Sequence, residues 1–406
     1  MKKIVSIVLL GAATCLLHGQ VDTSKSKFWM MTYFINGQDD VGARLAFSSD
    51  STGVHWEKYN SERAILKPIK VAGANDSRMR DPMIAYDSIN RRFNMIWTVS
   101  WTGKVIGWDT SSYLKEGTWG NQVGLPVSNS IPNSSFSWAP EIFWDDIQNK
   151  WMICWSVKTS STETYMYYSM INGWDFRTFS EPKVLIDPSF QMIDGSIIKV
   201  GPGDYQMFFK DERNGYKYIR RAWGATTPQG PYANITSVVA NANTEGPTIY
   251  RAGGKYRLIV DHYPNQGMAV CSAADINTNQ SPWPETWCVY GSGDTRFVAS
   301  HCNVIEVPKM LVKWMLHNDS TWVRFVRNKV NIWDFNCIPL KKPGTGVQCA
   351  EIKTYDLLGK IVKIDQVVIK NGTITPSTTN RLSPPGVYVT EGIKDIGVKI
   401  KVAPNK

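Results

Sequence analysis

The feature that most restricts the fold of this chain is a short head followed by an apolar strand, which recurs along most of its length. The heads are Arg80-Asp81-Pro82-Met83-Ile84, Trp138-Ala139-Pro140-Glu141-Ile142, Ile193-Asp194-Gly195-Ser196-Ile197, Glu245-Gly246-Pro247-Thr248-Ile249 and His301-Cys302-Asn303-Val304-Ile305. Second strands rich in aromatic or branched residues follow at 93–97, 151–155, 205–209 and 256–260. Further on in each repeat an aromatic residue recurs at near-regular spacing, as Trp56, Trp119, Phe179, Tyr232 and Trp287. A repeat of this length is one small sheet that cannot bury both faces alone, so successive copies must stack around a common axis. Five heads predict an all-β, five-bladed β-propeller over residues 24–340, in which side chains distant in sequence surround one pocket. The 17 Trp residues suit the packing between such blades.

The two ends of the ring are expected to meet. Residues 28–34 and 44–48, followed by Trp56, read as the outer part of a blade that lacks its inner half. The missing part is expected at 301–307, with another strand at 312–316 after a bend at Pro308-Lys309. Pairing of N-terminal with C-terminal strands would close the ring and remove exposed sheet edges.

Three heads carry a carboxylate in their first two residues, Asp81, Asp194 and Glu245, and Glu141 occupies a head position too. Asp-Pro and Asp-Gly are common turn dipeptides, but turns alone do not require acids at matching places in successive repeats. Carboxylates converging on a pocket floor are the equipment of glycoside hydrolysis, where one acid protonates the departing oxygen and another carboxylate activates water or attacks directly. Trp101 and Trp138 are candidate substrate contacts, because an aromatic ring can cover the apolar face of a sugar. Asp145, Asp146, Asp211 and Glu212 read as turn or rim charges.

The ordered series of heads resembles glycoside hydrolase family 43, the five-bladed arabinofuranosidases, xylosidases and arabinanases, over residues 28–317. That resemblance implies that Asp81 is the general base, Glu245 the general acid of an inverting mechanism, and Asp194 the residue that orients the acid and tunes its proton affinity. It gives Glu141 no catalytic role. It also implies that His301 contacts substrate or holds a central water or structural calcium, no other cofactor being required. The pattern departs at Asn303, where members of the family have Ser. This departure leaves open a second class, a glycan-binding propeller without catalysis. The expected substrate is an oligo- or polysaccharide bearing arabinofuranosyl, xylosyl or galactosyl residues, and the expected state is a monomer.

Outside the repeats, residues 1–20 have the basic start and short apolar run of a secretory signal, too short for a bilayer span. Residues 350–406 change character: Trp disappears, and short strands at 367–369, 387–389 and 398–400 suggest a small β-sandwich. The segments 354–360 and 382–389 resemble the C-terminal sorting domains of type IX secretion cargo, which implies a partner in the secretion machinery. A glycan-binding accessory module is the other reading. Both imply a secreted or cell-surface protein that passes through the periplasm. Removal of the signal leaves Cys154, Cys271, Cys288, Cys302, Cys337 and Cys349, an even set that permits disulfides; Cys271 and Cys288 are placed to close one outer loop. The formal charge of +10 is scattered, whereas nucleic-acid binding needs a concentrated basic stripe, so no nucleic-acid partner is expected. No phosphate-binding loop, dinucleotide fingerprint or nucleophile-elbow motif is present.

Overall fold

A computed structural model describes residues 27–309 and 312, apart from 91, 161, 214–216, 265 and 292–294, together with the backbone of four strands between 332 and 376. The expected signal, residues 1–20, lies outside the described residues. The chain opens with β1 (Lys27–Phe34), β2 (Arg44–Ser48) and β3 (His55–Lys58), followed by four sheets of four strands. The first is β4 (Arg80–Asp87), β5 (Arg92–Thr98), β6 (Ile106–Ser111) and β7 (Val123–Leu125). The second is β8 (Phe136–Asp145), β9 (Lys150–Lys158), β10 (Thr164–Met170) and β11 (Lys183–Ile186). The third is β12 (Met192–Gly201), β13 (Asp204–Asp211), β14 (Tyr218–Ala225) and β15 (Asn234–Ile235). The fourth is β16 (Thr244–Ala252), β17 (Lys255–His262), β18 (Gly267–Ala273) and β19 (Glu285–Trp287). The short strands β20 (Val289–Tyr290) and β21 (Thr295–Arg296) precede β22 (Ser300–Pro308).

The fifth blade forms as the split pattern requires. β22 pairs antiparallel with β1, from Lys27 opposite Pro308 to Phe34 opposite Ser300, and β1 continues the sheet to β2 and β3. The innermost strands β4, β8, β12, β16 and β22 each touch the next, and β22 touches β4, which completes the ring. Five apolar clusters fill the spaces between blades, and Trp97 and Trp155 are wholly buried in them. Gly107 lies flat beneath Trp97, where a Cβ would come within 2.1 Å of the indole. Of the second C-terminal strand expected at 312–316, only Val312 is among the described residues. Lys309 and Val312 have helical backbone, with Val312 buried in the cluster beside blade one; the rest of that stretch lies outside the described residues. One C-terminal strand suffices because β1 occupies the second position of the blade.

Further along, β23 (Ile332–Asn336), β24 (Val347–Tyr355), β25 (Ile361–Lys370) and β26 (Thr373–Pro376) form an antiparallel four-stranded sheet in sequence order. The expected strand at 367–369 falls within β25, whereas 387–389 and 398–400 lie outside the described residues. The sheet begins before residue 340 and crosses the boundary expected at 350. Cys271 and Cys288 are buried free thiols, as are Cys154 and Cys302, so the expected loop-closing disulfide is not formed. Each faces an apolar cluster in which a small thiol packs without a partner sulfur.

Candidate active site

Every innermost strand carries the same irregularity at its head. Between Arg80 and Met83, Trp138 and Glu141, Ile193 and Ser196, Glu245 and Thr248, and Ser300 and Asn303, three residue steps oppose two on the neighbouring strand. Such a bulge holds one extra residue and re-aims the side chains beside it. The residue after the first of each pair has positive φ: Asp81 (51°), Ala139 (47°), Asp194 (57°), Gly246 (54°) and His301 (29°). These five define the head ring. Asp81, Asp194 and His301 occupy it together. Glu245 stands one residue earlier, at the place of Arg80, Trp138, Ile193 and Ser300, so the three acids are not in the single phase that their motifs suggested. Gly246 takes the ring position in its blade, and a Cβ there would meet His301 Cα at 2.8 Å.

The ring side chains are joined across blades. His301 Nδ1 lies 3.3 Å from Asp81 Oδ1 and 4.0 Å from Asp194 Oδ1. Thr98 donates its hydroxyl to Asp81 Oδ2 at 2.7 Å and accepts the Ala139 N–H at 2.8 Å. Asp194 accepts the Gly246 N–H at 3.2 Å, and its own N–H donates to Ser156 Oγ. Burial pushes the Asp81 carboxyl up, but the His301 charge and hydrogen bond outweigh it and hold Asp81 at about 2. Burial alone would lower His301; Asp81 overrides it and raises the imidazole to about 10. Asp194 is raised to about 6 by burial, which His301 and Lys210 offset only in part while Glu245 and Asp81 add to the rise. The ring therefore combines an ionised carboxylate, an imidazolium and a carboxyl poised near neutrality.

Residues 25–310 match the family described as a probable glycosyl hydrolase domain, related to glycoside hydrolase family 43. The chain belongs to this family. Its propeller is therefore a glycosyl hydrolase domain of the family-43-related kind. A stretch of 105 residues is 30% identical to an alpha-L-arabinofuranosidase of Bifidobacterium longum, covering 22% of this chain and 10% of that protein; the match thus spans about a tenth of that relative's length. Similarity to solved structures includes an alpha-L-arabinofuranosidase from Lactobacillus brevis (13% identity, 77% of this chain and 96% of that one, TM-score 0.42). It also includes an endo-1,4-beta-xylanase from Bacteroides thetaiotaomicron (12%, 67% and 93%, 0.46).

In this domain Trp101 and Trp138 stand beside the heads of the first two blades. Their rings meet edge to face at 5.6 Å; Trp138 stacks on Phe136, and the Arg80 guanidinium lies 4.4 Å from the Trp101 ring centre. Trp101 is 45% exposed, leaving ring surface for a ligand. Direct ligation of calcium by His301 does not fit, because calcium takes oxygen ligands and His301 Nδ1 faces Asp81. Among the described residues no group of three or more His, Cys, Asp or Glu has the arrangement of a metal site. A calcium held through water is an implication of the family resemblance only.

Two buried charges at the site were invisible to the reading of the heads. Lys210 of β13, 3% exposed, reaches Glu245 Oε2 at 2.7 Å and Glu212 Oε2 at 2.8 Å, which joins Glu212 to the site rather than to the rim. Asp261 of β17 lies opposite Glu245 and accepts the His301 N–H at 3.1 Å through Oδ2. Both occupy second strands whose sequence reads as ordinary blade filling. Their signal was a charge placed directly after an apolar run, in Phe208-Phe209-Lys210 and Ile259-Val260-Asp261. The other acids behave as expected: Asp145 caps the β8–β9 turn through the N–H groups of Ile147 and Gln148, Asp146 pairs with Lys199, and Asp211 pairs with Arg213 and Arg220.

Proposed function

We propose that this glycosidase removes arabinofuranosyl or xylosyl residues, or galactosyl residues, from plant-type polysaccharides with inversion of configuration. The observation that carries the assignment of roles is the state of Asp81: a buried carboxylate kept ionised by His301 and oriented by Thr98 is equipped to take a proton from water. Asp81 acts as general base and removes a proton from the attacking water. Glu245, on another blade, acts as general acid and gives its proton to the departing glycosidic oxygen. Asp194 fixes the backbone beside Glu245 through the Gly246 N–H and so orients the acid. Trp101 and Trp138 cover the sugar from the rim. Inversion requires Asp81 and Glu245 about 6.5–9.5 Å apart, with room for the water.

The test is a panel of nitrophenyl arabinofuranoside, xyloside and galactoside substrates, with the anomer of the first product read by proton NMR. A first product of retained configuration would overturn the inverting assignment, and absence of turnover on the whole panel would overturn the sugar assignment. Glu245→Gln is expected to abolish turnover of substrates with poor leaving groups while sparing activated ones; equal loss on both would remove Glu245 from the acid role. The leader-like residues 1–20 and the tail 350–406 support export of this enzyme, with the tail as an address read by secretion machinery. Mass spectrometry of the N-terminus of protein recovered from medium and from cell surface tests that placement.

A further inference from the structure

In three of the five blades the residue across the bulge, on the second strand, has the same job. Thr98 in blade one and Ser156 in blade two each accept the N–H of the head residue in the next blade, Ala139 and Asp194 respectively. Asp261 in blade four does the same for His301 with Oδ2. A hydroxyl meets this structural need in two blades, so the carboxyl of Asp261 is more than the fold requires. Its second oxygen, Oδ1, is buried without a hydrogen-bond partner among the described residues, and the side chain is 4% exposed. It also sits directly opposite Glu245 on the paired strand, where Cβ atoms are about 4.5–5.5 Å apart and like charges repel. Two acids placed face to face, one with an idle buried oxygen, lower stability unless a proton lies between them.

The surrounding charges define what that proton does. Lys210 of β13 grips Glu245 Oε2 from one side, with Glu212 beyond it. His301 of β22, Asp194 of β12 and, through His301, Asp81 of β4 face the pair from the others. Lys210 is ion-paired with Glu245, and the opposite side chain is the nearest place on the paired strand for a proton. Burial first, then the charge of Glu245, keeps the Asp261 carboxyl protonated well above the usual carboxylate range.

We propose that Asp261 is a positioning residue that shares one proton with Glu245, directly or through one water, and supplies it when the leaving oxygen arrives. This rests on the acid role of Glu245 proposed above. The proton passes from Asp261 to Glu245 and from Glu245 to the departing oxygen as the glycosidic C–O bond breaks. Water loses its proton to Asp81 as the new C–O bond forms. After product release Asp81 returns a proton to solvent, and the Glu245–Asp261 pair takes one up, which leaves the enzyme unchanged over the cycle.

The experiment compares Asp261→Asn and Asp261→Ser with the unaltered protein and with Glu245→Gln. Asp261→Ser restores the hydroxyl used in blades one and two, so it preserves the support of His301 and tests the role even where Asp261→Asn misfolds. Both variants are expected to lose about 10- to 100-fold in kcat on alkyl glycosides, with the alkaline limb of kcat/KM moved to lower pH, while dinitrophenyl glycosides change by less than about threefold. Equal losses on both substrate classes, or an unmoved alkaline limb, overturn the inference. If Glu245→Gln separates the two classes and Asp261→Ser does not, only the role of Asp261 fails. If Glu245→Gln affects both classes equally, the acid assignment beneath it fails as well.

Discussion

The head ring and the ring of side chains two residues further along are made by the same five bulges, yet they use their polar atoms in opposite ways. In the deeper ring, Met83 Sδ accepts the Ile142 N–H, Ser196 Oγ the Ile249 N–H and Asn303 Oδ1 the Ile84 N–H, each across a blade boundary. Glu141 belongs to this ring and hydrogen-bonds Ser196 and the backbone of Ile197. These side chains stitch neighbouring blades together. The head ring, by contrast, leaves an ionised carboxylate, an imidazolium and a carboxyl facing one another. One geometry therefore supplies both a structural seam and a reactive surface, and the chemical identity of the residue decides which. Asn303 is accordingly a seam residue, its Oδ1 holding the Ile84 N–H of the neighbouring blade.

The sharpest test of this division is Asp81→Asn. A fall in kcat of about 10²- to 10⁴-fold is expected from loss of the base, with far-UV circular dichroism retained. The same change removes the partner that raises His301. In the unaltered protein the stability held in His301 is fully present below about 6.5 and lost as pH rises through about 10, whereas that held in Asp81 is present above about 3.9 and lost as pH falls through about 2. NMR titration of the imidazole should therefore move sharply toward neutrality in the variant. An unmoved His301 titration would separate the two residues.

Glu141→Gln tests the seam. Burial raises the Glu141 carboxyl to about 8, so the folded chain keeps a proton that the unfolded chain releases above about 4.3. Stability from this group falls as pH rises across that interval, and the full penalty applies above it. Gln retains an acceptor without the charge. The variant is expected to melt like the parent near pH 5 and on the order of 5 °C higher near pH 9; equal melting at pH 9 would show that Glu141 is not held protonated. Asn303→Ala should cost about 1–3 kcal/mol by orphaning the Ile84 N–H, with kcat nearly unchanged. Loss of activity without loss of stability would erase the distinction between the rings. The smallest effect is expected at Ala139, a head with no reactive group. Its positive φ costs about 1–2 kcal/mol that Gly avoids, partly offset by the entropy of Gly, so Ala139→Gly should stabilise by up to about 1 kcal/mol in a denaturant titration and leave activity intact.

The chain itself determined the blade count, the split fifth blade and the gathering of Asp81, Asp194, Glu245, Trp138 and His301 on one axis. These follow from local rules: alternation sets strands, head dipeptides such as Asp-Gly and Glu-Gly set bulges, and a blade short of one inner strand must borrow it. Tertiary structure alone decided what each charge does, because that depends on distances across strands and between blades. It put Glu245 one residue out of phase, brought Lys210 and Asp261 from apolar second strands to its side, and kept Cys271 and Cys288 as separate thiols. It also gave Glu141 a place in the seam. A carboxyl's proton affinity is set by burial and by neighbours within a few ångströms, and neither can be read along the chain.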